Sequence, residues 1–310
     1  MPAMPCANSS SIFMGTIYST AGREGLSYNC CMDVPNRKGL VAVTGCDSGI
    51  GFALTNLLLD RGWSVVAGCF SEPPFAPHAH LVCWRLDLRD ETGIARFAEL
   101  VEGLTAHGQR LACLVHNAGE VLAAPVENMP LSGVREVFEV NFFGIYSLSQ
   151  KLIPRLIRDG GRIIINASLA GRVGLPFFSP YVASKFAVEG FADCLRRELR
   201  PHGVRTVVLD TGAVATPIWD GSWTRIKSEL LPAVGDRYRG AFERAAESFV
   251  RGGNAGMAAE RAAGRILRIM EKGNPRSRYF LSDHPLLDRL EATIPGPIMD
   301  KLIAKRFGTA

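Results

Sequence analysis

Three polar side chains in the middle of the chain have the types and spacing needed to move a proton to or from an oxygen atom. Tyr181 and Lys185 lie four residues apart in a strongly helical stretch, so their side chains share one helix face. A lysine ammonium beside a tyrosine favours the phenolate, which would bring the pKa of Tyr181 toward neutrality. Ser168 ends a predicted strand, where a hydroxyl points into the ligand crevice of such a fold. Together these residues predict a general base with a hydrogen-bonding partner for a substrate oxygen.

A glycine-rich turn near the start of the periodic sequence has the composition of a phosphate-binding loop. The stretch in question is Thr44-Gly45-Cys46-Asp47-Ser48-Gly49-Ile50-Gly51, between a predicted strand and a predicted helix. Glycines permit a tight turn close to a pyrophosphate, and the helix N-terminus supplies oriented N–H groups and partial positive charge. The spacing differs from the GxGxxG of many dinucleotide-binding folds, and such a turn can be purely structural. Its position after the first strand favours nucleotide binding.

The end of the second predicted strand bears on the choice of dinucleotide. An acidic residue there would bind the ribose 2′-hydroxyl of NAD, and an arginine would favour the 2′-phosphate of NADP. Cys69 occupies that position, whereas Asp47 in the glycine loop would repel a 2′-phosphate. The sequence therefore favours NAD, with NADP as the alternative. Asp87, at the end of the third strand, could accept a hydrogen bond from the adenine amino group or cap the next helix. Alkylation of Cys46 and Cys69 is predicted to block cofactor binding.

The elements that must position these residues alternate regularly along the chain. Short apolar runs predict strands at 40–44, 63–67, 81–86, 111–115, 162–166, 204–209 and 278–281. Helical spacing predicts helices at 50–61, 90–107, 131–158, 181–200 and 258–272, with an amphipathic tail at 286–307 that we expect to pack on its own domain. This alternation predicts an α/β fold with a doubly wound, Rossmann-type parallel sheet in one domain, residues 37–310. Residues 1–36 are predicted to be a mobile N-terminal extension. Residues 217–255 are predicted to be a helical substrate lid whose apolar side chains favour an apolar substrate.

Composition excludes several other classes of protein. The chain has 310 residues, 47% of them hydrophobic, and a net charge of +5, which is too weak and too scattered for a nucleic-acid partner. It has no apolar run of the length that a membrane-spanning helix needs. Eight cysteines without a CxxC pair favour a reducing compartment, and we expect a cytoplasmic protein. Six histidines show no metal-ligand spacing, so no metal is expected.

In their order and spacing, these motifs resemble the short-chain dehydrogenase/reductase superfamily over nearly all of residues 39–310. Thr44–Gly51 matches the TGxxxGxG loop, Asn117-Ala118-Gly119 matches NNAG with His116 in place of its first asparagine, and Tyr181 and Lys185 match YxxxK. The helix around Tyr181 and the stretch Asn274-Pro-Arg-Ser-Arg-Tyr279 are similar to the retinol, steroid and 3-hydroxybutyrate dehydrogenase branch. The family's Pro-Gly after the sixth strand is Thr211-Gly212 here. This departure weakens any named substrate and leaves the catalytic assignment standing.

The resemblance implies a site and a reaction. The catalytic residues would be Asn141, Ser168, Tyr181 and Lys185. The cofactor would bind to Thr44, Gly45, Asp47, Ser48, Gly49, Ile50, Gly51, Cys69, Asp87, Leu88, Asn117, Ala118, Gly119, Tyr181, Lys185, Gly212, Val214 and Thr216. Tyr181 would take the alcohol proton, Ser168 would bind the substrate oxygen, and Asn141 would hold a water that relays protons from Lys185. The implied activity is hydride transfer between NAD(P) and an apolar alcohol or ketone, of steroid, retinoid or lipid type.

Two other functions stay open at this point. A small hydroxy acid such as 3-hydroxybutyrate would need a cationic partner in the crevice, and Arg225 or Lys227 could serve. The chain could also be a non-catalytic dinucleotide sensor, although a sensor has no need of the full catalytic set. The resemblance further implies a homodimer or homotetramer formed through the helices at 131–158 and 181–200.

Overall fold

A seven-stranded parallel sheet forms the centre of the molecule. In this computed structural model, which describes residues 38–106 and 108–307, the strands lie in the order β3-β2-β1-β4-β5-β6-β9. Their bounds are β1 Leu40–Thr44, β2 Ser64–Cys69, β3 Leu81–Arg85, β4 Leu111–His116, β5 Arg162–Asn166, β6 Arg205–Thr211 and β9 Arg278–Leu281. Every pairing is parallel, which confirms the doubly wound α/β fold. The predicted extension at 1–36 lies outside the described residues.

Helices cover both faces of the sheet, which explains the continuous apolar runs of its strands. One face packs against α2 (Glu91–Thr105), α4 (Gly144–Asp159) and α5 (Ser179–Leu199). The other face packs against α1 (Gly49–Asp60) and α8 (Ala259–Glu271). All five residues of β1 are buried, as expected for a central strand. Since parallel strands end at one edge, the loops after β1, β4, β5 and β6 meet there and form the site.

The helix predicted at 131–158 is interrupted in the structure. α3 (Leu131–Phe138) ends in a π-helical turn at Glu139–Phe143, from which α4 continues. π-turns inside α-helices are frequent at functional sites, because the extra residue redirects one side chain. Here the turn contains Asn141, whose side chain is completely buried.

The segment after β6 covers the end of the sheet at which the parallel strands terminate. A short strand pair, β7 (Val214–Ala215) and β8 (Met257–Ala258), brackets α6 (Ile218–Arg225) and α7 (Asp236–Asn254). The apolar faces of these two helices pack over Val121–Ala124 and Phe178 in a third hydrophobic cluster. The chain ends in α9 (Pro285–Glu291) and α10 (Gly296–Phe307). Within the described part of the chain, no helix is long and apolar enough to span a bilayer.

Candidate active site

The glycine loop after β1 has a backbone that only glycine adopts without strain. Gly45 has φ +69° and Gly49 has φ +55°, both in the left-handed region. A Cβ atom on Gly45 would lie 2.6 Å from Cα of Ala118, and one on Gly49 would lie 2.7 Å from Cγ2 of Thr216. The loop is therefore packed tightly against the segments after β4 and β6. Its outer surface lines a cavity at the N-terminus of α1, where a phosphate group fits.

Polar side chains join the ends of the four central strands. Thr44 accepts hydrogen bonds at Oγ1 from the backbone N–H groups of Asn117 and Ala118, both at 3.1 Å. Asn117 donates to the backbone oxygens of Thr44 and Gly45, and accepts a 3.0 Å bond from Asn166. Thr211 in turn donates to Oδ1 of Asn166 at 2.5 Å. This network links the ends of β1, β4, β5 and β6 beneath the cavity. Sequence reasoning missed Asn166 and Thr211, although each is a polar residue at the end of a buried strand.

Tyr181, Ser168 and Lys185 lie together at this edge. All three side chains line one cavity, and Nζ of Lys185 lies 5.7 Å from the centre of the tyrosine ring. Nζ also donates to the backbone oxygen of Asn166 at 3.2 Å, which directs the side chain from α5 toward β5. Pro180 in the first turn of α5 fixes the start of the helix that presents both Tyr181 and Lys185.

Burial controls the pKa values of this group. It raises the pKa of Tyr181 above its ordinary value, and the nearby Ser168 hydroxyl opposes that rise. It lowers the pKa of Lys185 to about 8, and the carboxylate of Glu189 opposes that fall. The sequence predicted that Lys185 would bring the pKa of Tyr181 toward neutrality, but desolvation prevails in this structure. Lys185 is thus a buried cation whose charge depends on its neighbours.

Asn141 acts on the segment that follows β4. Its Oδ1 accepts from the backbone N–H of Glu120 at 2.8 Å, and its Nδ2 donates to the Glu120 oxygen and to Oγ of Ser184. These bonds hold the segment after β4 in place between the π-turn and α5. Both the oxygen and the nitrogen of the Asn141 amide are engaged in them. The water-relay role implied for Asn141 stays a prediction.

At the opposite end of the cavity, Asp47 ties the glycine loop to the residues after β2. Its carboxylate accepts from the backbone N–H groups of Phe70 and Ser71, at 2.9 and 2.6 Å, and from Oγ of Ser71 at 2.7 Å. Asp87 forms a bidentate pair with Arg89, which lowers the pKa of the carboxyl despite partial burial. The Arg89 guanidinium lies 5.0 Å from the Phe70 ring. Phe70 and Arg89, which sequence reasoning missed, complete this end.

Cys69 ends β2, as the sequence predicts, but it does not line the cavity. Its side chain is fully buried on the α1 side of the sheet, among the apolar residues of β2 and α1, and Phe70 faces the cavity instead. Cys46 is also fully buried, and burial raises the pKa of both thiols, to about 12 for Cys46. The predicted block of cofactor binding by alkylation of these two thiols therefore has no structural support.

A single cavity of about 800 Å³ connects these features. Most of the predicted site residues line it, and they are Thr44, Gly45, Asp47, Ser48, Gly49, Ile50, Asp87, Leu88, Asn117, Ala118, Gly119, Ser168, Tyr181, Lys185, Gly212, Val214 and Thr216. Three predicted residues, Gly51, Cys69 and Asn141, do not line it. A Cβ on Gly51 would lie 2.0 Å from the oxygen of Gly45, so this glycine serves the packing of the loop.

The part of the cavity beyond Tyr181 is mainly apolar. Its wall includes Val121 and Leu175 from the core, and Trp219 and Phe249 from the segment predicted as a lid. Trp219 donates from Nε1 to the oxygen of Val214 at 2.6 Å, and its ring packs so closely on Gly253 that a Cβ there would lie 2.3 Å away. The C-terminal helices α9 and α10 and the residue that caps α9 also contribute, through Asp288, Ala292, Met299, Leu302 and Ile303. Sequence periodicity gave no sign that this tail reaches the cavity.

Arg225 and Lys227 do not offer a free cation to a substrate. The Arg225 guanidinium bonds three carboxylates, those of Glu120, Glu136 at 2.5 Å and Glu229 at 2.9 Å. Lys227 lies over the Trp223 ring at 4.8 Å, and neither cation lines the cavity. The sequence-based suggestion that they bind a substrate carboxylate is therefore wrong for this structure. Arg225 instead ties α6 to the segment after β4 and to α3.

Residues 38–106 and 108–307 contain no group of three His, Cys, Asp or Glu side chains arranged to hold a metal ion. Tyr181, Lys185 and Ser168 are the predicted catalytic residues that line the cavity, together with the glycine loop. The glycine loop lines the cavity at the N-terminus of α1, and the N–H groups of such a helix terminus fit the pyrophosphate of a dinucleotide.

Comparison with known proteins agrees with this geometry. A family model described as short chain dehydrogenase matches residues 39–226. The uncharacterized oxidoreductase YusZ of Bacillus subtilis is 33% identical over 67% of this chain and 75% of its own length. The 3beta-hydroxysteroid dehydrogenase dhs-16 of Caenorhabditis elegans is 31% identical, over 68% of this chain and 60% of its own. The mitochondrial D-beta-hydroxybutyrate dehydrogenase of Rattus norvegicus is 29% identical, over 84% and 82%.

Solved structures share the fold at lower identity. A short chain dehydrogenase from Burkholderia cenocepacia in complex with NADP has a TM-score of 0.67 and 22% identity, and covers 87% of this chain and 99% of its own. A short chain dehydrogenase/reductase from Burkholderia phymatum in complex with NAD has a TM-score of 0.68 and 23% identity, over 82% and 92%. These structural neighbours thus include one complex with NADP and one with NAD.

Proposed function

The chain belongs to the short-chain dehydrogenase family, and we propose that within it the protein transfers a hydride between NAD and an apolar, uncharged alcohol or ketone. The observation that carries this proposal is the cavity beyond Tyr181, where Val121, Leu175, Trp219 and Phe249 form an apolar wall. A concave apolar site with a few convergent polar groups is typical of small-molecule binding. The steroid dehydrogenase among the relatives is consistent with such a substrate.

The charges along the cavity favour an uncharged substrate over a hydroxy acid. Among the described residues that line it, the cations are Lys185 and Arg89, and Arg89 is paired with Asp87. Glu120 and Asp288 add negative charge to the wall. A substrate carboxylate would therefore lose its hydration without gaining a free cationic partner, apart from the catalytic lysine. The hydroxybutyrate dehydrogenase among the relatives keeps the hydroxy acid as the second candidate.

The residues would divide the reaction between them. The nicotinamide, when bound, supplies or accepts the hydride. In the oxidative direction Tyr181 removes the proton of the substrate hydroxyl, and Ser168, which lines the same cavity, donates to the substrate oxygen. Lys185 places its positive charge beside the tyrosine ring and stabilises the phenolate as that proton leaves. The buried walls exclude water, which strengthens each of these interactions.

Asp47 supports the choice of NAD over NADP. Its carboxylate is fixed by Phe70 and Ser71 at the end of β2, where the adenosine ribose lies in folds of this type. A 2′-phosphate there would meet this negative charge. We assign the dinucleotide to the glycine loop, Asp87 and Leu88, the segment Asn117–Gly119, Lys185, and the segment from Gly212 to Thr216.

The test is a panel of alcohols assayed with NAD and with NADP by the absorbance of the reduced nicotinamide. The panel contains a steroid secondary alcohol, a retinoid primary alcohol and 3-hydroxybutyrate. We expect turnover of an apolar member with NAD, and loss of that turnover in Tyr181→Phe with NADH binding retained. Preference for 3-hydroxybutyrate would overturn the substrate class. NADH binding without turnover of any member would favour the dinucleotide sensor.

We also propose a homodimer or homotetramer that forms through α4 and α5. Aromatic side chains cluster on the outer surface of these helices and of the π-turn before α4, where Phe143, Tyr146 and Phe186 are about half exposed. The rings of Tyr146 and Phe191 pack at a tilt with their centroids 4.9 Å apart, which joins the two helices in one patch. Sedimentation of the wild type and of Tyr146→Glu would test this interface. We further propose a cytoplasmic location, which the free cysteines Cys46, Cys69, Cys83, Cys113 and Cys194 support.

A further inference from the structure

The C-terminal tail places a carboxylate on the wall of the cavity. Asp288 lies on α9 and lines the cavity together with Ser168 and Gly212. A Cβ on Gly212 would lie 3.4 Å from Cδ1 of Leu169 and 3.7 Å from Oδ2 of Asp288. Leu169 directly follows Ser168 in a short helical turn. The carboxylate therefore lies close to the turn that begins at the predicted catalytic serine.

The described part of the chain gives the buried oxygen of this carboxylate no donor. Oδ2 of Asp288 is buried and has no hydrogen-bond partner among the described residues. The arginines of α8 that reach the tail are engaged elsewhere, since Arg261 and Arg265 lie 3.0 and 4.0 Å from Oδ1 of Asp283. A buried acceptor without a donor is costly, because nothing replaces the water that it has lost. A ligand in the cavity that Asp288 lines can supply that donor.

Ser282 is the protein side chain that offers an alternative partner. A Cβ on Gly212 would lie 3.0 Å from Cβ of Ser282, and Oγ of Ser282 is also buried without a hydrogen-bond partner among the described residues. A serine hydroxyl donates a single hydrogen bond, whereas a carboxylate accepts at two oxygens. A rotation that paired Ser282 with Asp288 would therefore leave the second carboxylate oxygen available to a ligand.

The surroundings of Asp288 favour a neutral donor. The other residues that the tail contributes to the cavity are apolar, and they are Ala292, Met299, Leu302 and Ile303. Such a wall removes the hydration of an ammonium group, and the Lys185 charge in the same cavity repels a second cation. A hydroxyl group loses less hydration and can still donate to the carboxylate.

We propose that Asp288 is a specificity-determining residue that accepts a hydrogen bond from a second hydroxyl group of the substrate. The inference rests on the proposed function, because it names a subclass of the apolar alcohols and ketones. Ser168 and Tyr181 would bind the reacting oxygen, and Asp288 would bind the additional hydroxyl. Two polar anchors fix the orientation of an otherwise apolar molecule in the cavity.

The test compares ketones that differ by one hydroxyl group, reduced with NADH. The probes are 2-dodecanone with its 4-, 8- and 12-hydroxy derivatives, and androstan-3-one with its 17-hydroxy derivative. In the wild type we expect kcat/KM of at least one hydroxylated ketone to exceed that of its parent about tenfold or more, because a hydrogen bond to a charged group is among the stronger ones. Asp288→Ala should bring this ratio close to one. General damage to the site would lower both members of a pair alike and leave their ratio unchanged.

Matched variants control for the loss of a carboxylate. Asp300→Ala makes the same change at an exposed position of α10 that does not line the cavity, and it should keep the wild-type ratio. Asp288→Asn retains an acceptor oxygen without the charge, so its ratio should lie between those of the wild type and Asp288→Ala. It also provides the comparison if Asp288→Ala fails to fold.

The outcomes separate this inference from the proposed function. Reduction of every parent and derivative at the same kcat/KM in the wild type would overturn the role of Asp288 and leave the proposed function standing. A preference that persists in Asp288→Ala would also overturn that role. So would a tenfold loss of NADH affinity in this variant, which would assign the carboxylate to the cofactor. A stronger preference for 12-amino-2-dodecanone than for the 12-hydroxy ketone would overturn the assignment of a hydroxyl. Reduction of none of the ketones would overturn the proposed function, and this inference with it.

Discussion

Replacing Gly49 with alanine tests the contact between the glycine loop and the segment after β6. Gly49 begins α1 with φ +55°, and a Cβ there would lie 2.7 Å from Cγ2 and 2.8 Å from Cβ of Thr216. Both atoms belong to a branched side chain close to its backbone, so they cannot swing away. The substitution must therefore shift Thr216, which we assign to the nicotinamide end of the cofactor site.

The expected magnitude has two parts. A left-handed backbone costs a non-glycine residue about 1–2 kcal/mol. Crowding in a packed environment adds about 1–3 kcal/mol. The free energy of unfolding should therefore fall by about 2–5 kcal/mol. Affinity for NADH should fall about tenfold or more. A loss of about 1.4 kcal/mol of binding free energy, caused by the displaced loop, corresponds to that factor.

Gly62 supplies the matched control at the other end of α1. Its φ is +73°, yet a Cβ there would have no neighbour within 4 Å, so Gly62→Ala has the backbone cost without the crowding. Urea unfolding and NADH fluorescence titration of both variants separate the two parts. We expect Gly62→Ala to bind NADH like the wild type. Equal unfolding energies in the two variants, with equal NADH affinities, would refute the contact with Thr216.

Three further predictions address single groups. Asp47→Asn should raise the NADPH-to-NADH affinity ratio about tenfold by removing one charge near the ribose; an unchanged ratio would place the 2′ position elsewhere. Burial lowers the pKa of His116 to about 3, so the unfolded chain takes up a proton as the pH falls below about 6.5 while the folded protein does not. The free energy of unfolding should thus fall by about 2 kcal/mol between pH 7 and pH 5. Urea unfolding at several pH values should show that His116→Asn removes this part of the pH dependence. Iodoacetamide should label Cys194 in the native protein and spare Cys46 and Cys69, with NADH affinity unchanged, as read by peptide mass spectrometry and fluorescence titration.

Much of the site could be predicted because its residues follow buried strands. Thr44, Asn117 and Ser168 come directly after runs of apolar residues, and parallel strands bring such positions to one edge. Asn166 and Thr211 obey the same rule and could have been identified by it. Cys69 shows where the rule needs care: side chains alternate along β2, so Val65, Ala67 and Cys69 share the buried α1 side, and Phe70 is the residue that reaches the cavity.

The sequence by itself determined the α/β alternation, the glycine loop and the pairing of Tyr181 with Lys185, because each depends on residues close together along the chain. Tertiary structure alone decided how distant side chains satisfy one another. Arg225 meets Glu120, and Arg278 meets Glu189 and Asp210, across separations of 68 to 105 residues. The same holds for the C-terminal helices, whose inner face walls the cavity. Local periodicity shows which face of an element is buried, but the partner of a charge on that face is fixed only when the elements pack together.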